Sequence, residues 1–126
     1  MYKLTLIGLG GLLGTLSRYW ISEAVDQRTQ SSFPYGTVVV NFAGCFAAGF
    51  LFQLLGQTAL SPELRLAVFT GFLGGFTTFS AYALQTFVLT RGGILSMAAV
   101  NVIASNFFGL AMVWVGAGAS RLLVDR

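Results

Sequence analysis

The chain has 126 residues, 56% of them hydrophobic and only 9% charged, with a formal net charge of +3. Soluble domains carry roughly 25% charged residues, so this chain cannot cover a water-facing surface, and lipid must be the solvent for most of it. The absence of His excludes His-based metal sites and bases, the single Cys45 excludes an internal disulfide, and the seven scattered Lys and Arg form no stripe for nucleic acid.

Cys and Tyr apart, no ionisable side chain occurs over residues 29–62, 66–90 or 92–120. Each run exceeds the roughly 20 residues that cross a bilayer as a helix. We therefore expect an all-α membrane protein with four transmembrane helices, spanning about 3–21, 34–55, 61–91 and 93–122, as a single transmembrane domain over 1–126. The connections are short, over 22–33, 56–60 and 91–93, and leave nothing for a soluble domain.

The first span follows Lys3 and carries Gly8, Gly10, Gly11 and Gly14. With no small-residue cleavage site after it, it reads as a packing face rather than a signal peptide. The second span opens at Pro34, well suited to a helix start. The third opens with Ser61-Pro62-Glu63, an N-cap, a first-turn proline and an acidic first turn.

As one straight helix the third span would be about 45 Å long, against a hydrocarbon core of about 30 Å. Its middle reads Gly74-Gly75-Phe76-Thr77-Thr78-Phe79-Ser80. Paired glycines with hydroxyl residues point either to a break, which lipid tolerates only where the freed carbonyls find other partners, or to a kink healed by the hydroxyls.

Small residues recur four apart in every span: Gly10/Gly14, Gly44/Ala48, Gly71/Gly75 and Ser105/Gly109. Such faces let helices touch. A bundle this tight has little room for a pore inside one subunit, so a conducting path would lie between subunits. With four spans, one side holds Lys3, Arg65, Arg121 and Arg126 and the other Arg18, Arg28 and Arg91. Positive charge therefore specifies orientation weakly, and a protein that inserts both ways pairs naturally as an antiparallel dimer.

The polar residues inside the spans are amides and hydroxyls, among them Asn41, Thr77, Thr78, Ser80, Gln85, Asn101, Ser105 and Asn106. Intramembrane carboxylates usually mark ion coupling, so their absence argues for passive permeation. It also leaves no nucleophile–base pair for an enzyme. Asn41 lies about 10 Å into the second span. Its two amide donors suit either an anion or a neighbouring helix. Asn101 and Ser105 share a helical face, as a polar track or as helix glue. Phe79 and Tyr82 also share a face, with Phe72 and Phe76 continuing the stripe. Such a stripe either packs or offers its partly positive ring edges to an anion. Arg18 either snorkels to the headgroups or attracts anions to an entrance.

Three segments resemble the helix signatures of the Fluc (CrcB) fluoride channels. Residues 10–19 read GGLLGTLSRY, residues 34–44 read PYGTVVVNFAG and residues 71–80 read GFLGGFTTFS. The resemblance implies a dual-topology antiparallel homodimer in the cell's inner or plasma membrane. It would hold two fluoride pores and a central structural sodium ion. Asn41, Phe79, Tyr82, Ser105, Thr78 and Ser80 would then line the fluoride path, with Arg18, Thr37 and Gln85 at a vestibule. The carbonyls of Gly74 and Thr77 would ligate sodium. The chain departs from the family pattern at Tyr82, where a second pore phenylalanine is usual, at Gln85, where a glutamate is usual, and at Gly109, a serine in some members. A small four-helix multidrug-type transporter would need a membrane-embedded glutamate, and Glu23 lies at a span end. A membrane assembly protein that transports nothing is the remaining alternative.

Overall fold

The computed structural model describes residues 2–56 and 60–124. These residues form helical rods, with no strand among them. The first rod is α1, Tyr2–Thr29, and the second is α2, Tyr35–Gly56. The third opens as α3, Pro62–Leu66, widens into a π-helical stretch, Ala67–Leu73, and resumes as α4, Gly74–Phe76. It breaks at Thr77 and Thr78 and continues as α5, Phe79–Arg91. The fourth rod is α6, Leu95–Ile103, a second π-helical stretch, Ala104–Phe108, and α7, Gly109–Val124. Three of the rods, Tyr35–Gly56, Pro62–Arg91 and Leu95–Leu123, are long and apolar enough to cross a membrane. The chain is thus an all-α, multi-pass membrane protein.

Both prolines stand where a helix tolerates them. Pro34 precedes α2, and its carbonyl accepts the first intrahelical bond from the Val38 N–H at 3.2 Å. Pro62 follows the N-cap Ser61, whose hydroxyl oxygen accepts from the Leu64 N–H at 3.3 Å. At the far end of α2, the Arg65 guanidinium donates to the Leu55 carbonyl. Between the third and fourth rods, Gly93 takes φ +76°, a conformation that favours glycine. Residues 57–59 of the expected connection, and Arg126 of the charge count, lie outside the described residues.

The first helix runs past the expected end at Ile21 to Thr29. Its last two turns are charged, which on sequence reads as a connection. They remain helical because their polar groups find local and tertiary partners. Gln27 Nε2 donates to Glu23 Oε1 at 2.8 Å, and Asp26 Oδ1 accepts from the Gly36 N–H at 2.8 Å. The second contact sets a carboxylate at the N-terminus of α2, where the helix dipole favours it.

The rods pack in pairs: α1 on the first half of the third, α2 on α7, and α5 on α6. Small residues make the approach possible. A Cβ on Gly49 would overlap the Val113 carbonyl, and one on Gly116 would overlap that of Phe46. Backbone thus meets backbone between α2 and α7 at glycines outside the spaced pairs expected from sequence, whereas the expected Gly10, Gly14, Gly71 and Gly75 bring the backbones of α1 and the third rod together. The most buried side chains include the polar Asn101 and Ser120, at 1% and 0% exposure, while Trp114 and Phe79 stand 79% and 76% exposed. Large apolar groups face outward and small or polar groups inward, the arrangement expected with lipid outside.

Candidate functional site

The break falls inside the stretch singled out on sequence. Thr77 and Thr78 are extended, at φ −87°, ψ 156° and φ −148°, ψ 116°. A helix broken in an apolar environment leaves unpaired backbone groups that cost several kcal/mol unless satisfied. Here side chains from two other elements serve them. From α2, Asn41 Oδ1 accepts from the Thr78 N–H at 2.8 Å, and Asn41 Nδ2 donates to the Thr78 carbonyl at 3.1 Å. From α1, Arg18 Nε donates to the Gly75 carbonyl at 3.0 Å. Thr78 is the N-cap of α5, its hydroxyl oxygen accepting from the Ala81 N–H at 3.2 Å. The Thr78 and Ser80 hydroxyls lie 3.2 Å apart.

These substitutions leave two carbonyls over. Thr78 N–H, which an unbroken helix would direct at Gly74, is taken by Asn41, and Ala81 N–H, which would serve Thr77, is taken by Thr78. Among the described residues no donor reaches the Gly74 or Thr77 carbonyl. The two lie one helical turn apart on the same rod, and Gly74 is exposed.

A cavity of about 400 Å³ opens beside the break. Asn41 lines it from α2, Gly74, Thr77 and Thr78 from the break, Phe79 and Tyr82 from α5, and Ser105 and Asn106 from the fourth rod. The Phe79 and Tyr82 rings meet at 5.2 Å with planes 57° apart. Phe72 and Phe76 do stack, at 5.7 Å, but they do not continue this stripe. The break turns the chain between Phe76, which is buried, and Phe79, which is exposed.

The polarity of the wall can be read from acceptor-only groups. The Tyr82 carbonyl can only accept, so the Thr86 hydroxyl at 2.9 Å spends its proton there. Thr86 Oγ1 must then accept from Asn101 Nδ2, at 2.9 Å. That turns Asn101 Oδ1 toward Ser105, whose hydroxyl donates to it at 3.3 Å. Ser105 therefore presents lone pairs to the cavity, and its proton is used. Asn41 keeps one N–H beyond the bond to Thr78.

The remaining expected site residues lie elsewhere. Thr37 is buried in α2 and accepts from Gln85 Nε2 at 2.9 Å, and the pair is not part of the cavity wall. Gln85 Oε1 is buried with no partner among the described residues. Arg18 sits behind the break, bound to Gly75. Thr86, one turn beyond Tyr82, was not singled out on sequence; it is not part of the wall but orients Ser105 through Asn101. Asn106, which does line the cavity, lies in the widened part of the fourth rod. Asn106 was visible as one of the amides inside a span, but helical spacing does not show that the rod widens there.

The sequence profile of the family described as CrcB-like protein, Camphor Resistance (CrcB), matches residues 5–117. A protein of Desulforapulum autotrophicum named fluoride-specific ion channel FluC is 44% identical over 97% of this chain and 98% of its own length. Proteins of the same name from Salinibacter ruber and Geotalea daltonii are 42% and 41% identical, each over 98% of this chain and over 93% and 100% of their own lengths. With nine-tenths of its length matched by the family profile and relatives of this identity aligned end to end, the chain belongs to the CrcB family.

Proposed function

We propose that the chain is a fluoride-selective ion channel. It lets fluoride leave the cell passively across the inner or plasma membrane, as an antiparallel homodimer with two pores. The observation that carries this reading is an uncharged cavity beside the broken helix, walled by oriented amide, hydroxyl and ring-edge groups. It occurs in a chain 44% identical to a protein named fluoride-specific ion channel FluC.

Fluoride is small and tightly hydrated, so a path for it must replace water by compact donors and be too narrow for larger halides. The free N–H of Asn41, the one hydroxyl proton that the Thr78–Ser80 pair does not use between its two members, and the edges of Phe79 and Tyr82 are donors of that kind, and Ser105 shapes the wall. Thr37 and Gln85, joined to one another, and the cationic Arg18 would stand toward the entrances. With no carboxylate in the cavity wall, no fixed negative charge there repels an anion or couples its passage to protons.

In the dimer, α1 would serve as the fourth span and the exposed Gly74 face would meet its counterpart. The Gly74 and Thr77 carbonyls, left without donors, match the oxygen preference of a hard cation. Two from each subunit would hold a structural sodium ion. The ion would lower the electrostatic cost of an anion at mid-membrane, where charges are weakly screened.

Liposomes carrying the purified protein and loaded with fluoride should empty quickly once a potassium ionophore balances charge. Equal leakage of chloride would overturn the selectivity. A single cysteine placed near Arg28, in a Cys45→Ala background, should be half accessible to an impermeant reagent from either side of the membrane. Labelling from one side only would overturn the antiparallel pairing.

A further inference from the structure

We infer that Asn106 and Tyr82 together form a hydrogen-bond donor aimed into the cavity, with Asn106 as the positioning residue and Tyr82 as the group that touches the anion. The inference rests on the channel reading and adds a contact for fluoride.

Hydrogen-bond polarity fixes the arrangement. Asn106 Nδ2 lies 2.8 Å from the Val102 carbonyl and 3.0 Å from the Tyr82 hydroxyl oxygen. A carbonyl only accepts, so the atom beside Val102 must be the amide nitrogen, and the side chain cannot be flipped. Its second N–H then points at Tyr82. A hydroxyl that accepts from Asn106 keeps its own proton for another partner. No acceptor for that proton occurs among the described residues, and Tyr82 and Asn106 both border the cavity shared with Asn41 and Phe79.

The neighbouring hydroxyl differs. The Ser105 proton is committed to Asn101 by the chain of bonds that starts at the Tyr82 carbonyl. Of these two hydroxyls the free proton belongs to Tyr82, and Asn106 keeps it free. Asn106 reaches Tyr82 from the π-helical stretch Ala104–Phe108, where Asn106 also serves the Val102 carbonyl. A ring edge at Tyr82 would give a weak electrostatic contact, whereas an O–H held by Asn106 gives a full hydrogen bond to a charged acceptor.

The test is a double-mutant cycle read by fluoride efflux from liposomes and by the near-ultraviolet difference spectrum of the purified protein on adding sodium fluoride. Tyr82→Phe should slow efflux about tenfold, the factor carried by one hydrogen bond to a charged group. Asn106→Ala should slow it in the Tyr82 protein and change it by less than about twofold in the Tyr82→Phe protein, since contacting residues couple. Asn106→Asp should slow it further than alanine does, because a carboxylate captures the hydroxyl proton, and this excess should shrink in the Tyr82→Phe protein. Asn106→Ser serves the same cycle if the alanine variant does not fold. Fluoride should perturb the tyrosine spectrum of the wild type, less that of Asn106→Ala, and not that of Tyr82→Phe. Equal effects of Asn106→Ala in both backgrounds, or full efflux by Tyr82→Phe, would overturn the inference and leave the channel standing. A wild type that passes no fluoride but shows the spectral change would remove the channel reading and keep the anion contact.

Discussion

Asn41 pairs with both backbone groups of Thr78, its carboxamide standing in for a peptide unit at 2.8 and 3.1 Å. The contact joins residues 37 positions apart and closes the gap in the third rod. The same residue therefore has two tasks, because the N–H not used on Thr78 is the one available to an anion. Asn41→Ala should lower stability by about 1–3 kcal/mol, the cost of a buried polar group left unpaired, and should abolish efflux. Asn41→Asp keeps the acceptor for the Thr78 N–H but places a negative charge in the cavity. It should fold better than the alanine variant and conduct as little. Thermal unfolding in detergent beside efflux from liposomes separates the two tasks. An alanine variant with unchanged unfolding would show that Thr78 does not depend on Asn41.

Gly44 holds the other flank of the break. A Cβ there would overlap Thr77 Cγ2, and Thr77 cannot swing away freely because its hydroxyl donates to the Leu73 carbonyl at 3.0 Å. Gly44→Ala should therefore destabilise by about 1–3 kcal/mol, the usual cost of forcing a methyl into a packed site. Thr77→Ser removes the obstructing methyl and keeps the hydroxyl. The double variant Gly44→Ala, Thr77→Ser should recover most of the loss, as measured by unfolding midpoints. Strict additivity would mean that the obstruction lies elsewhere, against Phe76.

Composition and charge spacing were enough to read the helical, lipid-facing character of the chain. The Ser61-Pro62 start of the third rod and the position of the break were also legible, because local rules govern them: proline and N-cap positions, and glycine pairs beside hydroxyls. What stayed hidden depends on distant partners. Residues 22–29 read as a connection until Asp26 is seen to cap α2 through Gly36. Asn41 read equally as an anion donor or an interhelical bond, and the structure shows the bond while leaving one N–H over. The aromatic stripe is interrupted by the extended Thr77 and Thr78, and the two π-helical stretches change the helical period, neither of which a constant spacing of three or four residues can reveal.

Arg18 separates structural from electrostatic contributions. Its Nε serves the Gly75 carbonyl, whose usual donor lies across the break. Arg18→Leu should cost about 1–3 kcal/mol in stability through that carbonyl. If the guanidinium also draws fluoride toward an entrance, the efflux deficit of Arg18→Leu should be large at low ionic strength and shrink at high ionic strength, as screening shortens from about 30 Å at 0.01 M to about 3 Å at 1 M. Arg18→Lys keeps the charge and should retain the salt dependence. A deficit unchanged by salt would assign Arg18 to the break alone.

The proposed sodium ion would make a demand on Gly74 that its own subunit does not. A Cβ at Gly74 would meet only the Phe69 carbonyl oxygen, at an ordinary 3.7 Å, and the residue is exposed. Nothing within the subunit therefore excludes alanine or leucine there. A second copy pressed against this face, sharing a cation between carbonyls, would exclude them. The unfolding midpoint of the wild-type protein should rise with sodium concentration, since a ligand that binds only the folded state stabilises it by mass action. Replacing sodium by N-methyl-D-glucamine on both sides of the membrane should lower the midpoint and slow efflux. Gly74→Leu should keep the helical content of the subunit, lose the sodium dependence and run as a monomer on size exclusion. A dimeric Gly74→Leu protein whose midpoint still follows sodium would remove both the cation and the pairing from this face.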